Sequence, residues 1–486
     1  MTPQALAAFA TLVSFAVHGN RVELKLDRGS AELVWTSPSA FHFRRTLKGP
    51  LADQKPERST DPVEFKVDDT PAALHLRSKR LDVAVQKSGA LLNVNRADGT
   101  PLMADLSEPK PQPTGVVWYR DAASDTRFYG LGPDPVGLEL NRRGQTVLTF
   151  YPFLLSTAGY GEYHSREALY TFDFTAPDRY RIEAPTVDYY FYFGPTPKQI
   201  FEQHRGNAAF ERTERGWPDS WDGLRKHLLA AVHQALSGMT LPPFNLAGYG
   251  QATDELRRRA SQYGSLEPSV YEGTRAPISA FRQQLASFFD IYAIETRDRG
   301  FPLWHPLPFQ FPTDPECAHH ADEFMLGDEM LVAPIYEPGN KRQVYFPPGS
   351  WTSLETNREY PGRTTATIET PALPVFAHKG AIVPLDSEGG IALHYFPDLG
   401  GEFFLLEKDL GAYTQVHAAP AADIMRLEID AKKARDYEWV VHHVECPTAV
   451  AFEDRQFPWT YDAALKNLLI RVSVKAGEDN VIHISW

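Results

Sequence analysis

Arg21-Val-Glu-Leu-Lys-Leu26 alternates strictly, with Val22, Leu24 and Leu26 on one side and Arg21, Glu23 and Lys25 on the other. A period of two belongs to a strand with one face buried and one in water. Asp27-Arg-Gly29 follows as a turn. The same signature returns at residues 33–35, 41–43, 74–76, 81–85 and 91–94, with Ala97-Asp-Gly99 as a further turn. Strands at this spacing, without long helical patterns among them, predict an antiparallel β-sandwich. Residues 188–193 form a last aromatic strand. Gly194-Pro-Thr-Pro197 stops it, and residues 198–204 read as a short helix leaving the domain. The N-terminal β-sandwich is therefore placed at residues 1–205.

The whole chain has 486 residues, room for about three domains at roughly 100–200 residues each. Hydrophobic residues make up 43% and charged ones 23%, which excludes a disordered or fibrous chain. With 49 basic and 62 acidic residues the net charge is −13. Phosphate backbones and anionic lipid repel such a chain, so neither nucleic acid nor a membrane surface is expected as a partner. Two cysteines, Cys317 and Cys446, make neither a disulfide framework nor a thiolate metal site alone. Proline (39) outnumbers glycine (33), favouring short strands joined by fixed turns. No run reaches the ~18 apolar residues of a membrane-spanning helix. Residues 5–17 are mostly apolar, but no Lys or Arg precedes them and no small-x-small cleavage site follows. They are read as a segment packed on the fold, with an uncleaved signal as the alternative, and a cytoplasmic location is favoured.

The middle changes character. Across Trp221–Leu236, Leu224, Leu228, Leu229, Val232 and Leu236 stand at helical spacing, with Ser220 as N-cap and Gly238 after the last turn. A second helix is predicted over 254–263, capped by Thr253 and closed by Gly264. A third starts at Pro277, carries Phe281, Leu285, Phe288, Phe289 and Tyr292, and ends at Gly300. Short apolar runs at 239–241 and 331–335 lie between and after helices, an α/β alternation. Beyond 335 the chain is β again, at 344–346, 381–383, 403–406, 425–429, 439–444, 468–474 and 481–486. The expected organisation is multidomain and mostly β. It comprises the sandwich at 1–205, an α/β segment at 206–335, and two C-terminal β-domains at 336–387 and 388–486.

Several segments resemble glycoside hydrolase family 31, the α-glucosidase and α-xylosidase family. Tyr129-Gly-Leu-Gly132, Leu140-Asn-Arg-Arg-Gly-Gln145, Tyr151-Pro-Phe-Leu-Leu-Ser-Thr157 and Gly159-Tyr-Gly161 look like its N-terminal sandwich. Asp322-Glu-Phe-Met-Leu-Gly-Asp328 with Leu331-Val-Ala-Pro334 looks like the end of its barrel. Val344-Tyr-Phe-Pro347, Gly349-Ser-Trp351, Pro374-Val-Phe376 and Gly380-Ala-Ile-Val-Pro384 look like its first C-terminal sandwich. The resemblance implies an N-terminal β-sandwich, a (β/α)₈ barrel and two C-terminal β-sandwich domains. Such a barrel takes roughly 250 residues, 200 at the low end, yet only about 130 separate Gly206 from Ile335. The segment Trp217-Pro-Asp-Ser-Trp221-Asp-Gly-Leu224 resembles the stretch just after the family's sixth barrel strand. The expectation is a truncated (β/α) barrel remnant holding only the last units.

The family retains anomeric configuration, which needs two carboxyl groups about 5–5.5 Å apart. The resemblance implies a nucleophilic Asp in a Trp/Lys-x-Asp-x-Asn-Glu-like motif, and no such motif occurs in this chain. It implies an acid/base Asp five residues before the tryptophan matching Trp221, and that position is Gly216. The family's Asp-Ile-Gly-Gly falls on Asn245-Leu-Ala-Gly248, and its Arg-Ser-His on Tyr271-Glu-Gly273. Arg259 matches an Arg-Trp pair of which Trp is replaced by Ala260. The expected outcome is a protein of carbohydrate metabolism without the inherited hydrolytic site, serving as a carbohydrate-binding or scaffold protein. The alternative is an active retaining α-glycosidase with rebuilt carboxylates.

The catalytic candidate is Asp219, and the substrate-binding candidates by resemblance are Trp221, Asn245 and Arg259. Asp222 and Glu255 are read as helix first-turn charges, and Glu267 and Glu272 as solvated loop charges. His319 and His320 beside Glu316, Cys317 and Asp322 are set aside as a metal site, because adjacent side chains rarely converge on one ion. His442 and His443 point to opposite faces of a strand pattern. The aromatics at 150–153 and 189–193 are read as core in preference to sugar-stacking rings. No cofactor and no metal are expected. A barrel remnant cannot close, so its edges need covering. A monomer with Phe281, Phe288, Phe289, Phe309 and Phe311 in an inter-domain core is expected, with a dimer as the alternative.

Overall fold

The computed structural model describes residues 9–52, 61–135, 137–164, 168–205, 219–239, 241, 244, 246–267, 280–452, 455–478 and 480–486. The chain is mostly β, with 46% strand and 16% helix. It divides into two compact units, residues 1–210 with 236–239, and residues 211–235 with 240–486.

The first unit contains the predicted antiparallel strands. An eight-stranded sheet runs in the order Leu12–His18, Arg21–Leu26, Ser30–Ser37, Ala40–Thr46, Val187–Phe193, Tyr160–His164, Phe153–Ser156, Phe128–Gly130. Two five-stranded antiparallel sheets accompany it, one from Phe65–Asp69 to Pro101–Ala104 and one holding Gly115–Asp121 and Arg179–Ala184. Val22, Leu24, Trp35, Phe41, Trp118 and Phe191 belong to one buried cluster. Tyr189, Phe191 and Tyr192 are core, as expected, while Phe150 is exposed. The short helix α1, Pro197–His204, begins with a capping box between Thr196 and Gln199.

A buried ion group sits inside these sheets. Arg120 and Glu162 are both fully buried and paired. Arg120 Nε also donates to Asp105 Oδ1 at 3.0 Å, and His164 Nε2 lies 3.3 Å from Glu162. Register explains the meeting: Arg120 is on Gly115–Asp121, and Glu162 and His164 share one face of Tyr160–His164.

The second unit starts with α2, Trp221–Leu236, and α3, Asp254–Gly264. Ser220 Oγ accepts from the Gly223 N–H at 3.1 Å, and Thr253 Oγ1 from Leu256 N at 3.3 Å, so both predicted N-caps form. The predicted third helix is two pieces, α4 at Ala280–Gln284 and α5 at Ala286–Arg299. The break is at Leu285, whose N–H is shared between the Phe281 and Arg282 carbonyls. Its predicted start at Pro277 lies outside the described residues. Gly300 ends α5 at φ 75°, a left-handed cap that glycine adopts without strain. Phe288 and Phe309 are fully buried, whereas Phe281, Phe289 and Phe311 are half-buried.

A six-stranded antiparallel sheet runs Trp304–Pro306, Phe324–Leu326, Met330–Val332, Val375–His378, Ser350–Ser353, Glu359–Pro361. One sheet thus holds strands from both sides of position 335. The run at 331–335 was read as part of an α/β alternation. Its strand Met330–Val332 instead pairs antiparallel with both neighbours. An apolar run buried on both faces reads the same in either kind of central strand. Two further sheets follow, of five and six strands, containing Ile382–Ser387 and Gly401–Glu407 respectively. Among the described residues, one strand pair is parallel: Gly390–Tyr395 with Arg435–Val441.

Replacing Glu162 by Gln leaves the buried Arg120 guanidinium short of a counter-charge. A loss of about 3–5 kcal/mol in denaturant unfolding is expected; a loss below about 1 kcal/mol would mean that Asp105 alone suffices.

Candidate functional site

In the segment that resembles the barrel, the side chains facing one another are aromatic. His227, on α2, has Nδ1 2.7 Å from the Tyr263 hydroxyl on α3. Phe244 sets its edge against both rings, at 5.0 and 4.8 Å. Tyr249 lies 5.4 Å from Phe244. Burial, with a smaller contribution from the negative charge of Asp219, pushes the Tyr249 hydroxyl up to about 12. Asp219 itself is exposed, just ahead of the N-cap Ser220, and Trp221 is half-buried at the start of α2. Asn245, Gly216 and Tyr271-Glu-Gly273 lie outside the described residues.

The other carboxylate of this region is Glu267, three residues past the end of α3. The expectation of a solvated loop charge is overturned: the residue is wholly buried. Trp304 Nε1 donates to the Leu266 carbonyl at 3.2 Å and draws the chain inward just before it. Neither Glu267 carboxyl oxygen has a hydrogen-bond partner among the described residues. Burial pushes the carboxyl up from its ordinary value to about 8, against smaller opposing influences of Tyr263 and Arg282. A carboxyl that stays protonated at neutral pH is what general-acid chemistry requires, but this one has no face in solvent. Asp222 and Glu255 are first-turn charges as expected; Asp222 pairs with Lys226 at 2.7 Å, and Glu255 accepts from Gly339 N at 2.7 Å.

Arg259 is fully buried on α3. Its guanidinium donates to the carbonyls of Gly339, Thr370, Pro371 and Ala372 at 2.9–3.2 Å and to Asn340 Oδ1 at 2.7 Å. These bonds fasten α3 to two loops of the C-terminal β-region. Sequence reasoning passed over His227, although it stands three residues after Leu224 on the apolar side of α2, where a buried partner was legible. Nothing in the sequence marked Glu267.

A separate cleft of about 420 Å³ lies between α5 and the hairpin Gly401–Glu407/Ala412–Pro420. Ile291, Ile294 and Phe403 supply apolar wall, with Glu295, Asp298, Arg299 and Glu402 among its polar groups. Phe404 and Tyr413, each about two-fifths exposed, share one face of the hairpin and line it too. Glu329 is at its inner end, receiving the Tyr292 hydroxyl at 2.6 Å, and burial raises it to about 8. Half-exposed rings beside carboxylates and a guanidinium suit a polyhydroxylated ligand.

Residues 300–383 match the glycosyl hydrolase family 31 C-terminal domain. Alpha-glucosidase 2 of Bacillus thermoamyloliquefaciens is 25% identical over 303 residues, 52% of this chain and 38% of that protein. In these stretches the chain is similar to glycoside hydrolase family 31 proteins. Alpha-xylosidase 1 of Arabidopsis thaliana is 26% identical over 198 residues, 36% of this chain and 22% of the relative. The matched parts thus span well under half the length of these curated relatives. The fold is also that of the GH31 dextranase of Flavobacterium johnsoniae solved with glucose. That likeness has a TM-score of 0.80 and 14% identity, and covers 99% of this chain and 100% of that one. The cycloalternan-forming enzyme of Listeria monocytogenes gives 0.80 at 13% identity, covering 98% of this chain and 77% of that one.

Glu267 carries a pH signature. Its folded-state acidity constant lies above the ordinary carboxylate value of about 4.3. Between pH ~4.5 and ~8 the native state therefore holds a proton that the unfolded state has released, and stability falls as pH rises. Glu267→Gln is expected to flatten part of that slope in melting curves from pH 5 to 8. An unchanged slope would show that the carboxyl ionises freely.

Proposed function

We propose that this family 31-like protein has lost the inherited hydrolytic site and acts as a carbohydrate-binding protein. The barrel is read as reduced to its last units, with Trp221, Asn245 and Arg259 as relics of the former sugar site. The observation that carries the proposal is the disposition of the acids. Asp219 stands in solvent, Glu267 is sealed in the interior, and glycine is the residue at 216, where the resemblance implies the acid/base. Retaining hydrolysis requires one acid to attack the anomeric carbon and a second to protonate the leaving oxygen across the same cleft. A solvated carboxylate and an enclosed carboxylic acid do not divide that work. The names of the relatives, α-glucosidase and α-xylosidase, set the substrate class to be tested.

The binding half of the proposal rests on the cleft beside α5. Phe404 and Tyr413 offer flat apolar faces to a sugar ring, and Glu295, Asp298 and Glu402 offer acceptors for its hydroxyls. Scaffold function without a sugar ligand is the weaker form, since a cleft of this make-up would then have no occupant.

Aryl α-glucosides and α-xylosides should show no turnover above buffer, and Asp219→Asn should change nothing. Calorimetry with gluco- and xylo-oligosaccharides should show saturable binding that Tyr413→Ala weakens at least tenfold. Turnover abolished by Asp219→Asn would establish the active glycosidase instead. Absence of any sugar binding would remove the carbohydrate ligand.

A further inference from the structure

Two adjacent carboxylates, Asp322 and Glu323, are buried at 6% and 1% exposure beside one guanidinium, that of Arg342. Each uses one oxygen on protein donors. Asp322 Oδ2 accepts from the Tyr336 hydroxyl at 2.6 Å and lies 3.0 Å from Arg342. Glu323 Oε1 accepts from the Tyr345 N–H at 3.0 Å and lies 3.6 Å from Arg342. The second oxygen of each, Asp322 Oδ1 and Glu323 Oε2, is buried with no hydrogen-bond partner among the described residues. The two buried acids share one fixed cation, and their second oxygens are left without a donor, as buried polar atoms rarely are unless an ion or water meets them.

His320 completes the group. One candidate donor atom from each of His320, Asp322 and Glu323 lies within 4.8 Å of those of the other two. The imidazole is held flat against Tyr345, with ring centroids 4.7 Å apart and planes 5° from parallel. Its Nε2 has no hydrogen-bond partner among the described residues, although Glu316 Oε1 lies 3.4 Å away as an ion-pair neighbour. The His320 side chain is 19% exposed, so the cluster has a path to solvent. Neighbouring side chains rarely converge on one ion, which is why the run alone points to no metal. Here the three donors come from positions 320, 322 and 323, leaving out His319 and Cys317.

We propose that His320, Asp322 and Glu323 form a binding site for a divalent transition-metal ion, with zinc the best match. One imidazole nitrogen and two carboxylate oxygens are a three-ligand zinc set that leaves a fourth position for water. Reaching it requires the donors to draw together to the roughly 3.4 Å edge of a tetrahedral zinc site with bonds of about 2.1 Å. Arg342 and Tyr336 already hold the outer oxygens, as the supporting partners of metal-bound carboxylates do. The positive Arg342 sets the limit on affinity, because it already neutralises one of the two acids. The site ties the segment preceding Phe324–Leu326 to Lys341–Phe346, which carries Arg342 and Tyr345.

The test uses the full chain, freed of metal with chelator and titrated with zinc by calorimetry. Cobalt substitution is followed by visible absorption, and thermal melting is run with and without zinc. One equivalent of zinc, a cobalt d–d band and a raised melting temperature are expected. Glu323→Gln and His320→Asn, confirmed as folded by circular dichroism, should each weaken binding at least tenfold. No stoichiometric zinc would overturn the proposal. So would zinc whose affinity both folded variants retain, since it would then bind elsewhere.

Discussion

Trp304 is the contact on which the helical part of the second unit depends. It is fully buried, lies flat on Phe324 with centroids 4.0 Å apart, and meets Tyr263 of α3 edge-on at 5.5 Å. Phe324 belongs to the neighbouring strand of the same antiparallel sheet, so a helix is pinned to that sheet through one indole. The constraint behind it is general. Strand edges and apolar helix faces must be covered by something, and here rings and backbone donors from an antiparallel sheet do the covering. The indole N–H on Leu266 also fixes where Glu267 points, and so decides whether that acid meets solvent. Arg259, one turn before Tyr263 on α3, completes the attachment by binding loop carbonyls that would otherwise be buried without donors.

Likeness to family 31 brings an expectation of chemistry, but chemistry resides in a site and not in a fold. The family-model match lies at residues 300–383, which include the strand Phe324–Leu326. The resemblance implies acids at positions where this sequence has Gly216 and no nucleophile motif. The proposed loss of hydrolysis is thus a statement about two positions, while the fold likeness rests on hundreds.

Much of the architecture was legible because β alternation and helix caps are local signals. Val22, Leu24 and Leu26 identify a strand without help from any other segment, and Thr253 and Gly300 mark helix ends by side-chain and backbone chemistry alone. What was not legible depended on distant partners. The run ending in Met330–Val332 has no mark that separates parallel from antiparallel pairing. Glu267 reads as a loop charge until Trp304 is seen to hold the residue before it. Asp322 and Glu323 sit in a segment whose family likeness is plain, yet their unpartnered oxygens emerge only when Arg342, Tyr336 and Tyr345 arrive from later strands. Asp219, expected as the catalytic candidate, is exposed ahead of the N-cap Ser220, and that solvation follows from neighbours that sequence spacing does not give.

The most direct measurement is covalent trapping. A retaining glycosidase forms a glycosyl-enzyme ester on its nucleophile, and activated fluoro-α-glucosides and fluoro-α-xylosides stall it there. Intact mass spectrometry after prolonged incubation should show the unmodified chain. A stoichiometric glycosyl adduct, mapped to any carboxylate, would contradict the loss of the hydrolytic site.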